Sequence, residues 1–257
     1  MNIIVTDSRG RDIAKHTHNS KLFSIHSHPG ANINKLTRNA LKLIENRTDK
    51  HDTHIYIIGG ICDLTYMDRD WDQNYEETTF MDTPEHATQS LINKITLAHT
   101  QIREAGAIPC FATVAPASIH TWNYTRLHQN KTSYLLHYKH YEDMQTLLNT
   151  TITNINKQII ELNNKHFMHT PKLADTIIRS RGHTRQYRTH YSRLSDGIHL
   201  TTKLALSWKT ILTKTIHRNR SHALPFIPNH TSGTSSDEHS EEEGCIERGR
   251  PWLPARE

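Results

Sequence analysis

Apolar residues near the N-terminus come in short unbroken runs, and further along the chain they recur at helical spacing. Asn2–Val5 is a run of the first kind, stopped by the polar turn Thr6-Asp7-Ser8-Arg9-Gly10. Leu22–Ile25, closed by Pro29-Gly30, and His54–Ile58, closed by Gly59-Gly60, repeat the pattern, and Ile108–Ala115 makes a fourth. Runs this short, bounded by turn residues, predict strands buried on both faces. Between them, Ile33, Leu36, Ala40, Leu43 and Ile44 predict a helix over 32–46, with Asn32 or Asn34 as its cap. Thr83-Pro84-Glu85 opens another helix, with Thr83 as N-cap and Pro84 in the first turn, running to about Ala105 before Gly106 ends it. A long helical segment covers roughly 131–165, with room for one break. The short apolar stretch Phe167-Met168 follows, and Thr201 or Thr202 starts a closing helix to about His217.

Strands alternating with helices at this spacing predict a three-layer α/β/α sandwich around a parallel sheet of about five strands. In such sheets functional groups gather at the carboxyl ends of the strands. Asp7-Ser8, Gly30 and the segment from Gly60 to Asp63 all stand at such ends. From Ser221 the composition changes to Pro, Ser, Thr, Gly and acidic residues without helical periodicity. The expectation is therefore one domain over 1–220 and a disordered tail over 221–257.

Composition narrows the setting. Hydrophobic residues make up 35% of 257, enough for one core of good size under a polar surface. No apolar run is long enough to cross a bilayer. Met1 leads directly into Ile3-Ile4-Val5, so no secretory leader is expected. Cys62, Cys110 and Cys245 are too few and too scattered for a disulfide framework, which fits a reducing, intracellular, cytoplasmic setting. The net charge of +5 is uneven: residues 1–220 hold 28 basic against 19 acidic side chains, about +9, and the remainder is acidic. A domain this basic could meet an anionic partner such as RNA or DNA, although on charge alone a merely solvated surface is the simpler account.

Two short motifs carry candidate chemistry. Ser8 sits on a sharp turn after a buried strand, where free backbone N–H groups favour developing negative charge; Asp7 and Ser8 would equally serve as ordinary helix caps. In Asp196-Gly197-Ile198-His199 the carboxylate can fix the ring three residues on, leaving the other ring nitrogen to take a proton from a hydroxyl. With 21 histidines in the chain, an incidental histidine beside an Asp-Gly turn is the competing account.

Together, and in this order, the motifs resemble the conserved blocks of the SGNH (GDSL-type) hydrolase superfamily. Thr6-Asp7-Ser8 is similar to Gly-Asp-Ser, Gly30 to the second-block glycine, and Gly60-Ile61-Cys62-Asp63 to Gly-x-Asn-Asp. Asp196-Gly197-Ile198-His199 matches Asp-x-x-His, and Thr113-Val114-Ala115-Pro116 resembles the usual end of the fourth strand. The resemblance covers roughly residues 2–218. It implies an SGNH/flavodoxin-like sandwich and a serine esterase acting on a small ester or acyl substrate without metal or organic cofactor. It further implies Ser8 as nucleophile, His199 as general base and Asp196 as its orienting partner. Ser8, Gly30 and the third-block position, here Cys62, would form the oxyanion hole. Cys62 stands where the family has asparagine, and a thiol is a much weaker donor; losing one oxyanion donor costs about 100- to 1000-fold in turnover. The chain also looks like esterase-like domains carried by some animal retroelements. A relative of the fold, the terminal domain of Oskar, is a non-enzymatic RNA binder, so the rival expectation is a catalytically weak module holding nucleic acid on its basic surface.

The remaining candidates are weaker. His16 with His18, His26 with His28, and His137 with His140 lack acidic or cysteine partners at metal-site spacing, and no metal is expected. Tyr134, Tyr138 and Tyr141 suit base stacking among Lys131 and Lys139, but their i, i+4, i+7 spacing fits one packed helix face better. By the resemblance, Trp71, Asn74 and Tyr75 would line a substrate cleft. Substrate identity, oligomeric state and the role of the acidic tail have no signature in the chain.

Overall fold

A computed structural model describes residues 1–17, 20–70, 75–80, 82–128, 138–181 and 186–222. Strands β1 (Asn2–Thr6), β2 (Ser24–Ser27) and β3 (His54–Ile58) alternate with helices α1 (Gly10–Ala14) and α2 (Ile33–Glu45). Then come α3 (Ile61–Leu64), the hairpin β4 (Tyr66–Asp70) and β5 (Tyr75–Thr79), α4 (Pro84–Glu104) and β6 (Ile108–Phe111). Helices α5 (Ile119–His128) and α6 (Tyr138–Lys165), a second hairpin of β7 (Ile178–Arg181) and β8 (Gln186–Thr189), and α7 (Thr202–His222) complete the order. The main sheet is parallel in the order β2-β1-β3-β6, with Ile3 opposite Ile55 and Val5 opposite Ile57.

Alternation along the strands builds the layers. Ile3, Val5, Ile55 and Ile57 face one core layer with Leu36 and Ile44 of α2, Leu91 and Ile95 of α4, and Leu148 and Ile152 of α6. Ile4, Tyr56 and Ile58 face the other, with Ile13 of α1 and Leu204, Trp208 and Leu212 of α7. Burying both faces is what made the strand sequences read as unbroken apolar runs. Asn32 caps α2 by accepting from the Lys35 N–H at 3.0 Å, and Thr83 caps α4 by accepting from the His86 N–H at 3.3 Å.

The sheet differs from expectation at one edge. Four strands pair in it among the described residues, not five. The chain does return along β6, but it meets the edge through one backbone bond, Thr113 N–H to the Pro171 carbonyl at 3.1 Å, and Pro171 has no N–H to return. Side chains of α6 occupy the place of a fifth strand. The Asn163 amide accepts from Phe111 N–H at 3.2 Å and donates to the Phe111 carbonyl at 2.7 Å. Asn156 makes the same pair with Val114, at 2.7 and 2.9 Å. An amide side chain presents the same donor and acceptor as a peptide group, so each satisfies one residue of edge.

Helix α7 continues through Ser221 and His222, the first two residues of the expected tail. The rest of the segment expected to be disordered lies outside the described residues. No described helix is long and apolar enough to cross a membrane.

Candidate active site

Ser8 is half-buried at the carboxyl end of β1, in a turn fixed from several sides. Asp7 N–H extends the sheet by donating to the Ile58 carbonyl at 3.2 Å, and Gly10 N–H closes the turn on the Asp7 carbonyl at 3.2 Å. The Asp7 carboxylate accepts from Arg9 N–H at 3.0 Å, and the Ser27 hydroxyl donates to the Asp7 carbonyl at 2.8 Å. A Cβ at position 10 would lie 1.9 Å from the Thr6 methyl. Glycine there makes room for the threonine that stands in the first position of the Gly-Asp-Ser-like block.

Asp196 and His199 meet in the turn before α7. The His199 Nδ1 lies 2.6 Å from Asp196 Oδ2, while Asp196 Oδ1 accepts the backbone N–H groups of Ile198 at 3.0 Å and His199 at 2.7 Å. Gly197, at φ +93°, lets this turn close; its carbonyl accepts from Ser118 N–H at 2.8 Å. Burial raises the Asp196 pKa, but the bonds from the His199 ring and the two N–H groups outweigh it and hold the carboxyl below its ordinary value. Nδ1–H therefore points at the carboxylate, and the Nε2 lone pair faces outward.

The gap between His199 and Ser8 is not closed. Among the described residues the Ser8 hydroxyl makes no hydrogen bond to His199; Nε2 instead faces Arg11 Nη2 at 3.5 Å. Arg11 Nε also lies 3.4 Å from the Ser8 carbonyl. On the other side, the Trp122 ring stands edge-on to His199, centroids 5.7 Å apart, and is tied down by its N–H to the Thr78 hydroxyl at 3.1 Å. The Arg126 guanidinium lies 5.3 Å above that ring.

The three expected oxyanion donors stand at the ends of β1, β2 and β3. Gly30 is exposed in the turn after β2 at φ +66°, and among the described residues neither its N–H nor that of Ser8 donates to a protein acceptor. Cys62 is half-buried in α3, and burial first, then the Asp7 charge, pushes its thiol up to about 11. It is a neutral thiol there, not a nucleophile. The adjacent Asp63 is structural: its carboxylate accepts Ile33 N–H at 2.8 Å and Lys94 Nζ at 3.0 Å.

Beneath the loop lie two buried charges. Asp7 is 1% exposed, with Oδ2 lacking a partner among the described residues, and burial raises its pKa. Arg9 is 3% exposed and donates from Nη1 to the Ala115 carbonyl at 2.9 Å; its Nε and Nη2 have no partner among the described residues.

Trp71 and Asn74, along with His18, His137 and Tyr134, lie outside the described residues. Tyr141 is buried and donates to Glu77, which fits a packed face. No group of three or more metal-ligating side chains forms among the described residues. Arg9, Arg11 and Trp122 were not singled out from the sequence. The two arginines follow Ser8 within three residues and were legible by position, whereas α5, which carries Trp122, has no apolar stripe to announce it.

Comparison with solved structures places this arrangement in a known fold. A GDSL-like lipase from Bacteroides thetaiotaomicron matches with a TM-score of 0.53 at 9% identity, over 84% of this chain and 87% of its own. A lipolytic protein of the G-D-S-L family from Veillonella parvula matches with a TM-score of 0.51 at 10% identity, over 84% and 98%. The CTD of the Drosophila Oskar protein matches with a TM-score of 0.50 at 12% identity, over 83% and 87%. No protein-family model and no curated protein sequence matches the chain. The chain thus has the SGNH/GDSL α/β fold, which lipolytic hydrolases share with the Oskar domain.

Proposed function

We propose that this chain is a serine hydrolase acting on an ester or acyl substrate. The observation that carries the reading is the Asp196–His199 pair, 2.6 Å apart, at the same end of the sheet as Ser8. Ser8 Oγ attacks the carbonyl carbon as its proton passes to His199 Nε2, and Asp196 stabilises the imidazolium. The bond to the leaving alcohol breaks, that alcohol takes the proton, and water then releases the acid from Ser8 by the same route. The uncommitted N–H groups of Ser8 and Gly30 receive the oxyanion, and Cys62 contributes weakly. Substrates are small esters or acyl groups, and no cofactor takes part in the steps. A fluorophosphonate probe labels Ser8, and a short activated ester turns over; both signals vanish in Ser8→Ala. Equal behaviour of wild type and Ser8→Ala rules the reading out.

A second reading, nucleic-acid binding by a catalytically weak module, is favoured by one cavity. It measures about 390 Å³ and is lined by Lys172, Lys214 and Arg218 with Thr170 and Thr215, and among the described residues no acidic side chain lines it. Binding there would weaken steeply with salt and with Lys214→Glu, and would ignore Ser8→Ala. Undetectable affinity at low salt removes it.

A further inference from the structure

We infer that the acyl donor is an anionic ester, whose carboxylate or phosphate draws the Arg11 guanidinium off His199 Nε2. The inference rests on the hydrolase reading above and names its substrate class. Guanidinium nitrogens only donate, so Arg11 Nη2, 3.5 Å from Nε2, faces the lone pair that must receive the Ser8 proton. The base is masked in this resting arrangement.

What holds Arg11 there is slight. Its two contacts, 3.4 Å to the Ser8 carbonyl and 3.5 Å to Nε2, both lie at the long limit of hydrogen bonding. Among the described residues no carboxylate forms an ion pair with it: three nearby acids are engaged, and Asp7, whose Oδ2 has no partner among the described residues, is buried beneath the loop. Asp12 takes Lys15 at 3.1 Å and Leu200 N–H at 3.3 Å; Asp196 takes His199; Asp63 takes Lys94. Beneath the same loop the buried Arg9 guanidinium, with Nε and Nη2 unpartnered among the described residues, lies beside the buried Asp7. A neutral ester offers the guanidinium nothing better than it has. A carboxylate or phosphate offers a charge-assisted, two-toothed bond at about 2.7–2.9 Å, which no present contact matches. Binding an anion therefore pulls Arg11 from Nε2 and frees the base in one motion.

Three 4-nitrophenyl esters of matched chain length test this: a neutral butyrate, one ending in a carboxylate and one ending in a phosphate. Wild type should prefer the charged esters by about tenfold to a hundredfold in kcat/KM, and the better of the two identifies the oxyanion. In Arg11→Ala that preference should collapse towards unity while neutral-ester turnover rises; Arg11→Lys should keep part of the preference. A preference unchanged in Arg11→Ala, or none in wild type, overturns the inference. A second measurement does not need turnover. In Ser8→Ala, the His199 ring signals, assigned by their loss in His199→Gln, should shift saturably with monomethyl adipate or inorganic phosphate. In Ser8→Ala/Arg11→Ala they should not. Absence of fluorophosphonate labelling at Ser8 defeats the hydrolase reading, whereas absence of the anion-induced shift defeats this one.

Discussion

Replacing Gly197 by alanine separates the geometry of the Asp196–His199 turn from its chemistry. At φ +93° an L-residue pays about 1–2 kcal/mol in backbone strain. The added Cβ would also stand 2.6 Å from the Ser118 carbonyl oxygen and 2.7 Å from the Trp122 nitrogen. Both are backbone atoms at the start of α5, so neither can swing aside as a side chain would, and overpacking of this kind costs roughly 1–3 kcal/mol. The sum is about 2–5 kcal/mol, or on the order of 5–15 °C in melting temperature for a domain of this size. Gly30→Ala is the control: its φ is +66°, but nothing lies within 4 Å of the new Cβ, so only the backbone cost applies. Thermal unfolding followed by circular dichroism reads both. Any relief of the clash must move the turn against α5, and a displacement of about 1 Å at the reacting groups costs on the order of 100-fold in rate. Gly197→Ala should therefore lose fluorophosphonate labelling even where it is folded. A Gly197→Ala protein no less stable than Gly30→Ala would refute the packing of this turn.

Other outcomes follow from single residues. Cys62→Asn replaces a thiol with an amide donor and should raise ester turnover by about tenfold or more; no gain in kcat would remove position 62 from the oxyanion hole. Asn163→Leu strands the Phe111 N–H and carbonyl in the core and should cost roughly 2–5 kcal/mol in urea unfolding. His99, packed against the His166 ring at 4.1 Å, has its pKa pushed down to about 4, chiefly by burial. The unfolded chain then binds the extra proton first, so stability is complete above about pH 6.5 and falls as pH drops towards 4. The loss is roughly 2–3 kcal/mol, and it should disappear from the pH profile of His99→Phe.

The parts of the fold that were legible in sequence are those where one physical rule dominates. β1 and β3 are buried on both faces and read as unbroken apolar runs, and α2 and α4 carry caps that match their bonds. The two hairpins were missed because β4 and β5 are polar strands, with Asp68 opposite Glu77 and Arg69 opposite Glu76, which periodicity alone reads as connection. β2 lies two residues later than its apolar run, since it pairs with β1 through Ser24–Ser27 and not through Leu22. At the site, the Asp-x-x-His spacing made the Asp196–His199 contact legible, because both ends belong to one turn. Arg11 at His199 spans 188 residues, and no local rule reports on a contact of that kind. Asn156 and Asn163 lie seven residues apart on α6, two polar positions beside an apolar face, and their partners just beyond β6 and on it are 42 and 52 residues away in the chain.

The amide pairs along β6 bear on how copies of this chain can meet. An open strand edge is an invitation to any other extended segment, and proteins ordinarily discourage it with charge, bulges or brevity. Here the invitation is withdrawn on one side by Asn156 and Asn163, which occupy the very groups a visiting strand would need. Strand exchange and fibre growth through that side would first have to break buried bonds to α6. The flank left to a newcomer is β2, four residues long and carrying His26, where an added strand would find little length to grip.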